Sequence, residues 1–316
     1  MNLSYLIHRL GAVLVVMAIV TVAVFAITNV LPGNAALMIL GENATAENLA
    51  ALERQLGLDR PLVVQYFDWV GGVIRGDFGM SLRLGLPVSQ VVGSAFINSM
   101  WLAGIALAAV TIISIPLGAV AAIKRGTIYD TLIGLFSYVG TALPEFVTAT
   151  LLLVLFASPA NTIFPAGGFV DPTEDFLGFL DHAVLPVATL GLVLMAHISR
   201  QVRSEMSEVL SSDYVRAARL KGLSERRVIW RHTLPNSLAP AVAVISLDIG
   251  YLLGGIIVVE EIFAWPGLGR LLIYALQNRD LPVIQAITLV LAVVYALSNL
   301  ISDLVIAKLD PRVRYA

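Results

Sequence analysis

Residues 10–30 include no charged side chain, and neither do residues 96–123. Runs of this kind constrain the fold more than any motif in the chain. The hydrocarbon core of a bilayer is ~30 Å thick and is crossed by ~20 mostly apolar residues in a helix. Lipid offers the backbone no hydrogen-bonding partner, so a spanning segment must satisfy its N–H and C=O groups internally. Four further runs follow. Residues 131–157 are broken only by Pro144-Glu145. Residues 183–198 are shorter and hold Pro186. Residues 238–259 contain one charge, Asp248, and residues 283–307 contain one, Asp303. The expectation is an all-α, polytopic membrane protein with six transmembrane helices. Charged residues are 13% of the chain, about half the ~25% of a soluble domain, which places it in the bilayer.

His8 and Arg9 precede the first run in the manner of a signal peptide. Its apolar stretch exceeds the ~7–15 residues of a cleaved signal and no small-x-small site closes it, so the run reads as a retained anchor. Six crossings put both termini on one side. The segments sharing that side hold Arg9, Lys124, Arg125, the eight basic residues between Arg200 and Arg231, and Lys308, Arg312 and Arg314. These are fourteen of the twenty basic residues. The opposite side holds Arg54, Arg60, Arg75, Arg83, Arg270 and Arg279 among thirteen carboxylates running from Glu42 to Asp280. Short cytoplasmic loops carry the excess of Lys and Arg, so both termini are expected in the cytoplasm. The chain then divides into an N-terminal end and first span (1–30), an extracytoplasmic cap (31–95), a five-helix core (96–307) with a cytoplasmic loop (201–236), and a cytoplasmic tail (308–316). A net charge of -2 and the absence of cysteine exclude disulfides, thiolate metal sites and a cysteine nucleophile, and give no reason to expect nucleic acid as a partner.

The cap is too polar to span and too patterned to be disordered. Thr45 and Asn48 mark a capped helix start, with Leu49, Leu52 and Leu56 at helical spacing behind it. Pro61 opens a second segment that carries Tyr66, Phe67, Trp69 and Phe78, expected as short helices near the interface. These helices either pack on the spans as a lid or touch substrate. The loop 158–182, with Asp171, Glu174, Asp175 and Asp181, has no metal-loop spacing and reads as a solvated acidic surface.

The stretch "DYVRAARLKGLSERRVIWRHTLPNS" (213–237) poses a different problem. Good helix formers run to Lys221, Gly222 breaks them, Ser224 is placed to cap a second helix, and Pro235 restarts the chain. Headgroup snorkelling accounts for the arginines. It does not account for Ala217, Ala218, Leu220, Leu223, Val228, Ile229 and Trp230 interleaved with them. A two-helix knob with mixed apolar and basic faces suits seating in a groove of another protein.

The spacing Arg216-Ala217-Ala218, three residues, Gly222, nine residues, His232, one residue, Leu234-Pro235 resembles the EAA loop of ABC-type importer permeases. Arg216 stands where that pattern has Glu and His232 where it has Ile. Further stretches are similar to the first of the two permease subunits of the dipeptide, oligopeptide and nickel importer family: "LPGNAA" (31–36), "LGLDRPLVVQYFDWV" (56–70), "GDFGMS" (76–81), "GGIIVVEEIFAWPGLGRLL" (254–272), "RDLPVIQ" (279–285) and "LDPRVR" (309–314). The resemblance implies the type I ABC importer permease fold with a small helical extracytoplasmic cap, multi-pass in the inner (plasma) membrane of a bacterial cell. It also implies the partners of such a subunit: a second related permease, two ATP-binding subunits, an extracytoplasmic substrate-binding protein and the lipid bilayer. The ATPase-coupling residues would be Ala217, Ala218, Gly222, Leu223, Leu234 and Pro235. No cofactor is expected in this chain, with ATP and Mg bound by the partner ATPase subunits. The implied function is half of the translocation path for dipeptides or short oligopeptides. The alternatives are nickel or another small solute in the same family, or a stand-alone secondary transporter, which would run on an ion gradient without an ATPase.

The remaining chemistry fits a transport subunit rather than an enzyme. No G-x-x-x-x-G-K-[ST] loop is present to cradle ATP phosphates. The "GLG" at 267–269 lacks a preceding strand and reads as a turn. His8, His182, His197 and His232 stand singly, without the i, i+4 pairing of metal sites, and no Ser/His/Asp set suggests hydrolysis. Charges inside spans are costly and tend to face a wet path. Asp248 and Glu145 are therefore candidates for the translocation path, against Glu145 serving the Pro144 kink and Asp303 lying near the interface. The small residues of "GYLLGG" (250–255) suit close packing on the second permease, and "EEIFAWPGLGRLL" reads as an outer turn and interfacial helix of scaffold type.

Overall fold

The computed structural model describes residues 3–30, 45–57 and 59–309. "LPGNAA" lies outside the described residues, as do Leu58 and residues 310–316 of the tail. Nearly all that is described is helical. In chain order the helices are α1 (Leu3–Val30), α2 (Ala46–Leu56), α3 (Leu62–Ile74), α4 (Val88–Ile123), α5 (Ile128–Ala142), α6 (Glu145–Phe156), α7 (Phe176–Leu210), α8 (Asp213–Leu220), α9 (Glu225–Arg227), α10 (Leu234–Ile262), α11 (Leu268–Asn278) and α12 (Leu281–Leu309), with a π-helical turn, Val228–Thr233, between α9 and α10. A two-stranded hairpin, β1 (Ala157–Ser158) and β2 (Asn161–Thr162), follows α6 with Ala157 opposite Thr162.

Four helices are long and apolar enough to cross a bilayer: Ile7–Thr28, Val88–Ile123, Phe176–Leu210 and Leu281–Val305. Two more candidates are bent pairs, Ile128–Ala142 with Glu145–Phe156 at 110° and Pro240–Leu252 with Gly254–Ile262 at 52°. Counting each pair as one span gives the six expected. The 110° corner follows from Pro144. Proline has no N–H and bars the helical conformation in the residue before it, so Leu143 is extended (φ -85, ψ 125) and Pro144 becomes the N-cap of α6. Residues 183–198, the shortest apolar run, prove to be the centre of the 35-residue α7, which tolerates Pro186 and is lined with buried residues such as Leu190, Leu194, Ile198 and Val202. Asp175 caps it by accepting from the Gly178 N–H at 3.0 Å.

The chain divides into two compact units. In the unit containing residues 100–265, α7 is the central element and packs on α5, α6 and α10. Its core joins Leu102, Ala106 and Val110 of α4 to Phe179 and Leu194 of α7 and to Leu252, Ile256 and Val259 of α10. Backbones approach closely where small residues allow it. A side chain on Gly140 would meet the Leu192 carbonyl at 2.9 Å, and one on Gly118 would meet the Ser199 carbonyl at 2.6 Å. Trp265 and Phe263 are fully buried, with Trp265 edge-on to Phe169 at 5.0 Å. Phe263 and Trp265 of the "EEIFAWPG" turn thus fill a core, which is what a scaffold reading of that turn asks for. Before α7, the exposed Asp171 accepts from the N–H and hydroxyl of Thr173 (2.8 and 2.6 Å). Those bonds hold its carboxyl below the usual range.

The other unit, residues 7–99 and 266–296, contains the cap. Thr45 accepts from the Asn48 N–H at 3.2 Å, so the α2 start is the one expected. In α3, Tyr66 and Trp69 face Phe25 at 5.4 and 5.8 Å, and the Tyr66 hydroxyl meets Thr21 at 2.9 Å. Tyr66 and Trp69 thus pack on the first span, as a lid would, while Phe67 is exposed and Phe78 packs against the buried cluster of α4, α11 and α12. Asp280, fully buried, accepts from the Ser81 hydroxyl (2.5 Å) and from the N–H groups of Leu82 and Arg83 (3.2 and 3.3 Å). It fastens the loop before α4 to the turn between α11 and α12.

Candidate functional site

Two groups of residues in the unit built on α7 are candidates for function. The first is the knob at 213–233. Val215 and Val228 are fully buried and Ala218 nearly so, with Val209 and Leu223 packed against them. The knob therefore has a small core of its own. Helix α8 ends in a left-handed glycine turn: Gly222 takes φ +77, and its N–H reaches the Arg219 carbonyl while that of Leu223 reaches Ala218. Arg219 then grips Glu225 with two bonds, 2.8 and 3.3 Å, across the turn. Ser224 occupies the N-cap position (φ -63, ψ 144), but its hydroxyl makes no capping bond among the described residues. The second helix keeps α-form only to Arg227 and then widens. The Leu234 N–H bonds to the Ile229 carbonyl and the buried Thr233 hydroxyl to the Val228 carbonyl at 3.1 Å. Pro235, which has no N–H to offer the Arg231 carbonyl, enters α10 directly after this turn.

The expected coupling residues separate by role. Ala218 and Leu223 face the knob's core. Ala217, Gly222 and Pro235 are exposed, and Leu234 is half-buried. The outer surface presents Tyr214, Leu220 (83% exposed) and Trp230 (64% exposed) among Arg216, Lys221, Arg226, Arg227 and Arg231, all exposed. Ser224, Arg226, Arg227 and Trp230 line a shallow depression there.

The second group is intramembrane. Asp248 on α10 lies 3.7 Å from His197 on α7. The His197 ring is 6.1 Å from Tyr251, one turn along α10 from Asp248, and the Tyr251 phenol bonds to Glu145 and lies within the field of the Asp248 charge. Glu145 is the first residue of α6, where the positive end of the helix dipole favours a carboxylate. The Glu145 carboxylate rests against Gly255, where any side chain would collide with it. The structure thus brings the two path candidates into one polar cluster, which the sequence suggested only separately.

Comparison with known proteins places the chain. Residues 114–315 match the family described as "Binding-protein-dependent transport system inner membrane component", and residues 2–109 match its N-terminal counterpart. This chain belongs to that family. The permease is 37% identical to the glutathione transport system permease of Salmonella typhimurium over 313 residues, and 37% identical to the dipeptide transport system permease of Escherichia coli over 338; each alignment covers 99% of both chains. It is 34% identical to a Sinorhizobium fredii protein named "Probable peptide ABC transporter permease protein", with 98% and 99% of the two chains covered. Its fold is the all-α, polytopic fold of type I ABC importer permeases, and it is a multi-pass inner-membrane protein. Permease components of ABC importers act with ATPase and substrate-binding partners and are transport components themselves.

Two contacts of this unit were not legible in the sequence. His197 looked solitary because its partner is 51 positions away on another helix; the available signal was the i, i+3 pair Asp248 and Tyr251, which share one helix face. Asp130 and Arg203 form a two-point bridge, 2.5 and 2.9 Å, from α5 to α7, and Asp130 also accepts from the Gly126 N–H. Nothing in the spacing of 130 and 203 signals it.

Proposed function

We propose that this permease forms half of the translocation path of an ATP-driven importer for dipeptides or short oligopeptides, and that the knob at 213–233 is its contact with an ATPase subunit. The observation that carries the coupling reading is the knob's own core. With Val215, Ala218 and Val228 holding its shape from inside, the apolar and basic outer face is a preformed surface rather than a tether. Tyr214, Leu220 and Trp230 provide anchors of the kind that fill pockets in a partner, and the surrounding arginines provide orientation and encounter rate. On this reading the partners are a second related permease, two ATP-binding subunits that hold ATP and Mg, and an extracytoplasmic binding protein that selects the solute. The cytoplasmic location of both termini belongs to the same reading, because it puts the knob on the ATPase side.

The mechanism is a population shift. Closure of the ATPase dimer around nucleotide moves the knob, and the knob is continuous with α10 through the π-turn, so α10 and the helices packed on it are biased toward one of two arrangements. Nucleotide acts only through its different affinity for those arrangements. The peptide substrate is supported by full-length similarity to relatives named for dipeptide, glutathione and peptide transport.

The test is purification of the complex from cells expressing the neighbouring transport genes, followed by reconstitution with the binding protein. The wild type is expected to bring both ATPase subunits in stoichiometric yield and to accumulate peptide only with ATP. Deleting residues 219–226 should abolish ATPase retention. Full uptake with that segment deleted, or uptake driven by an ion gradient without ATPase, overturns the reading.

A further inference from the structure

The cluster around Asp248 leaves bonding capacity unused in a way that the fold does not require. Asp248 is 7% exposed. One of its carboxylate oxygens faces His197, and the other has no hydrogen-bond partner among the described residues. One Glu145 oxygen and the Thr148 hydroxyl, one turn along α6, are likewise buried and unbonded. A buried carboxylate oxygen without a donor is expensive, and an intramembrane acid normally acquires a partner. At 3.7 Å, the His197 contact is longer than a good hydrogen bond.

These acceptors belong to different helices, α6 and α10; the Tyr251 phenol bonds to Glu145 and lies within the field of the Asp248 charge one turn away on α10. Tyr251 is itself 46% exposed and His197 is half-exposed, so the cluster opens at the surface of its unit instead of being sealed. Among the described residues no Lys or Arg bridges either acid, and the Arg203 side chain is engaged by Asp130. What would complete the site is a mobile group with several N–H donors and a positive charge. A primary ammonium has three such donors in tetrahedral array, and a carboxylate accepts them by short, charge-assisted bonds.

We propose that Asp248 and Glu145, with Tyr251 between them, form a subsite for the free α-ammonium group of a peptide crossing the permease. This inference rests on the peptide-importer reading above and adds to it a chemical requirement on the solute inside the membrane, separate from any selection by the binding protein. His197 lies beside Asp248 at 3.7 Å, and Gly255 leaves the room that the Glu145 carboxylate occupies.

The experiment uses the complete reconstituted complex with saturating, peptide-loaded binding protein and compares a free tripeptide with its N-acetylated form. The readout is peptide taken up per ATP hydrolysed, for wild type, Asp248→Asn and Glu145→Gln. Both substitutions preserve shape, and complex yield reports assembly; if Asp248→Asn does not assemble, Tyr251→Phe and Glu145→Gln carry the test. The expected result is a fall of about tenfold for the free peptide, the size of one lost charge-assisted bond, with no comparable fall for the acetylated one. An unchanged ratio for the free peptide, or equal falls for the two substrates, overturns the ammonium subsite. If acetylated uptake is too low to measure, the free-peptide ratio decides alone. A wild-type complex that takes up no peptide at all overturns the importer reading instead.

Discussion

Individual side chains in this permease divide between those that close a fold and those that leave it open, and buried acids illustrate both. Asp280 and Asp248 are each enclosed, yet Asp280 receives three donors from residues 81–83 while one oxygen of Asp248 receives none. Replacing Asp280 with Ala leaves the buried Ser81 hydroxyl and two partly buried backbone N–H groups without their acceptor. The expected loss is about 2–4 kcal/mol, more than one ordinary hydrogen bond because orphaned donors carry their full desolvation cost. The check is a lowered thermal midpoint of the detergent-solubilised protein, with Ser81→Ala losing about 1 kcal/mol because the two N–H groups keep their acceptor. Asp248→Asn should by contrast barely move that midpoint. Sequence alone could not distinguish the two acids. The charge of Asp280 sits in a polar turn beside Arg279 and looks solvated, whereas that of Asp248 interrupts an apolar run and is visible at once.

At the level of elements, legibility follows the source of each element's stability. Helices defined by their own residues were readable: the Thr45 cap, the Gly222 break and the long apolar spans all act through neighbours in sequence. The π-turn at Val228–Thr233 was not, because it depends on where α10 must begin once Pro235 is seated and on the burial of Thr233, which only packing decides. The length of α7 was also hidden: Pro186 suggests an end, but a proline one turn or more into a buried helix is tolerated when neighbouring helices hold it. The glycine turn gives a sharp prediction. Nothing lies within 4 Å of a side chain added at Gly222, so its φ of +77 is the whole obstacle to substitution. Gly222→Ala should cost about 1–2 kcal/mol and reduce the properly shaped knob accordingly, whereas Gly222→Asn, which tolerates the left-handed region, should cost less. Retention of ATPase subunits during purification should rank wild type, Asn, then Ala. Equal retention by all three would mean that the turn's geometry is irrelevant to docking.

For the whole molecule, the open physical question is parity. Six apolar runs were legible because a bilayer imposes their length, but a run does not reveal whether its helix crosses or turns back. The α5–α6 pair bends by 110° at Pro144, and neither half alone has the ~20 residues of a crossing. If the pair spans, Lys124-Arg125 before it and the acidic loop after it lie on opposite faces, as the asymmetry of basic residues requires. If it is re-entrant, those loops share a face, the crossings fall to five and the two termini separate. The absence of cysteine from the chain makes the alternatives directly separable. Thr127→Cys and Ala160→Cys lie at exposed positions on either side of the pair. With a membrane-impermeant thiol reagent on intact cells stripped of their outer barrier, Ala160→Cys should label and Thr127→Cys should label only after the membrane is opened. Labelling of both from one face would make α5–α6 a re-entrant hairpin. It would also detach the cytoplasmic placement of the knob from that of the N-terminus, and the charge asymmetry would then need a different account.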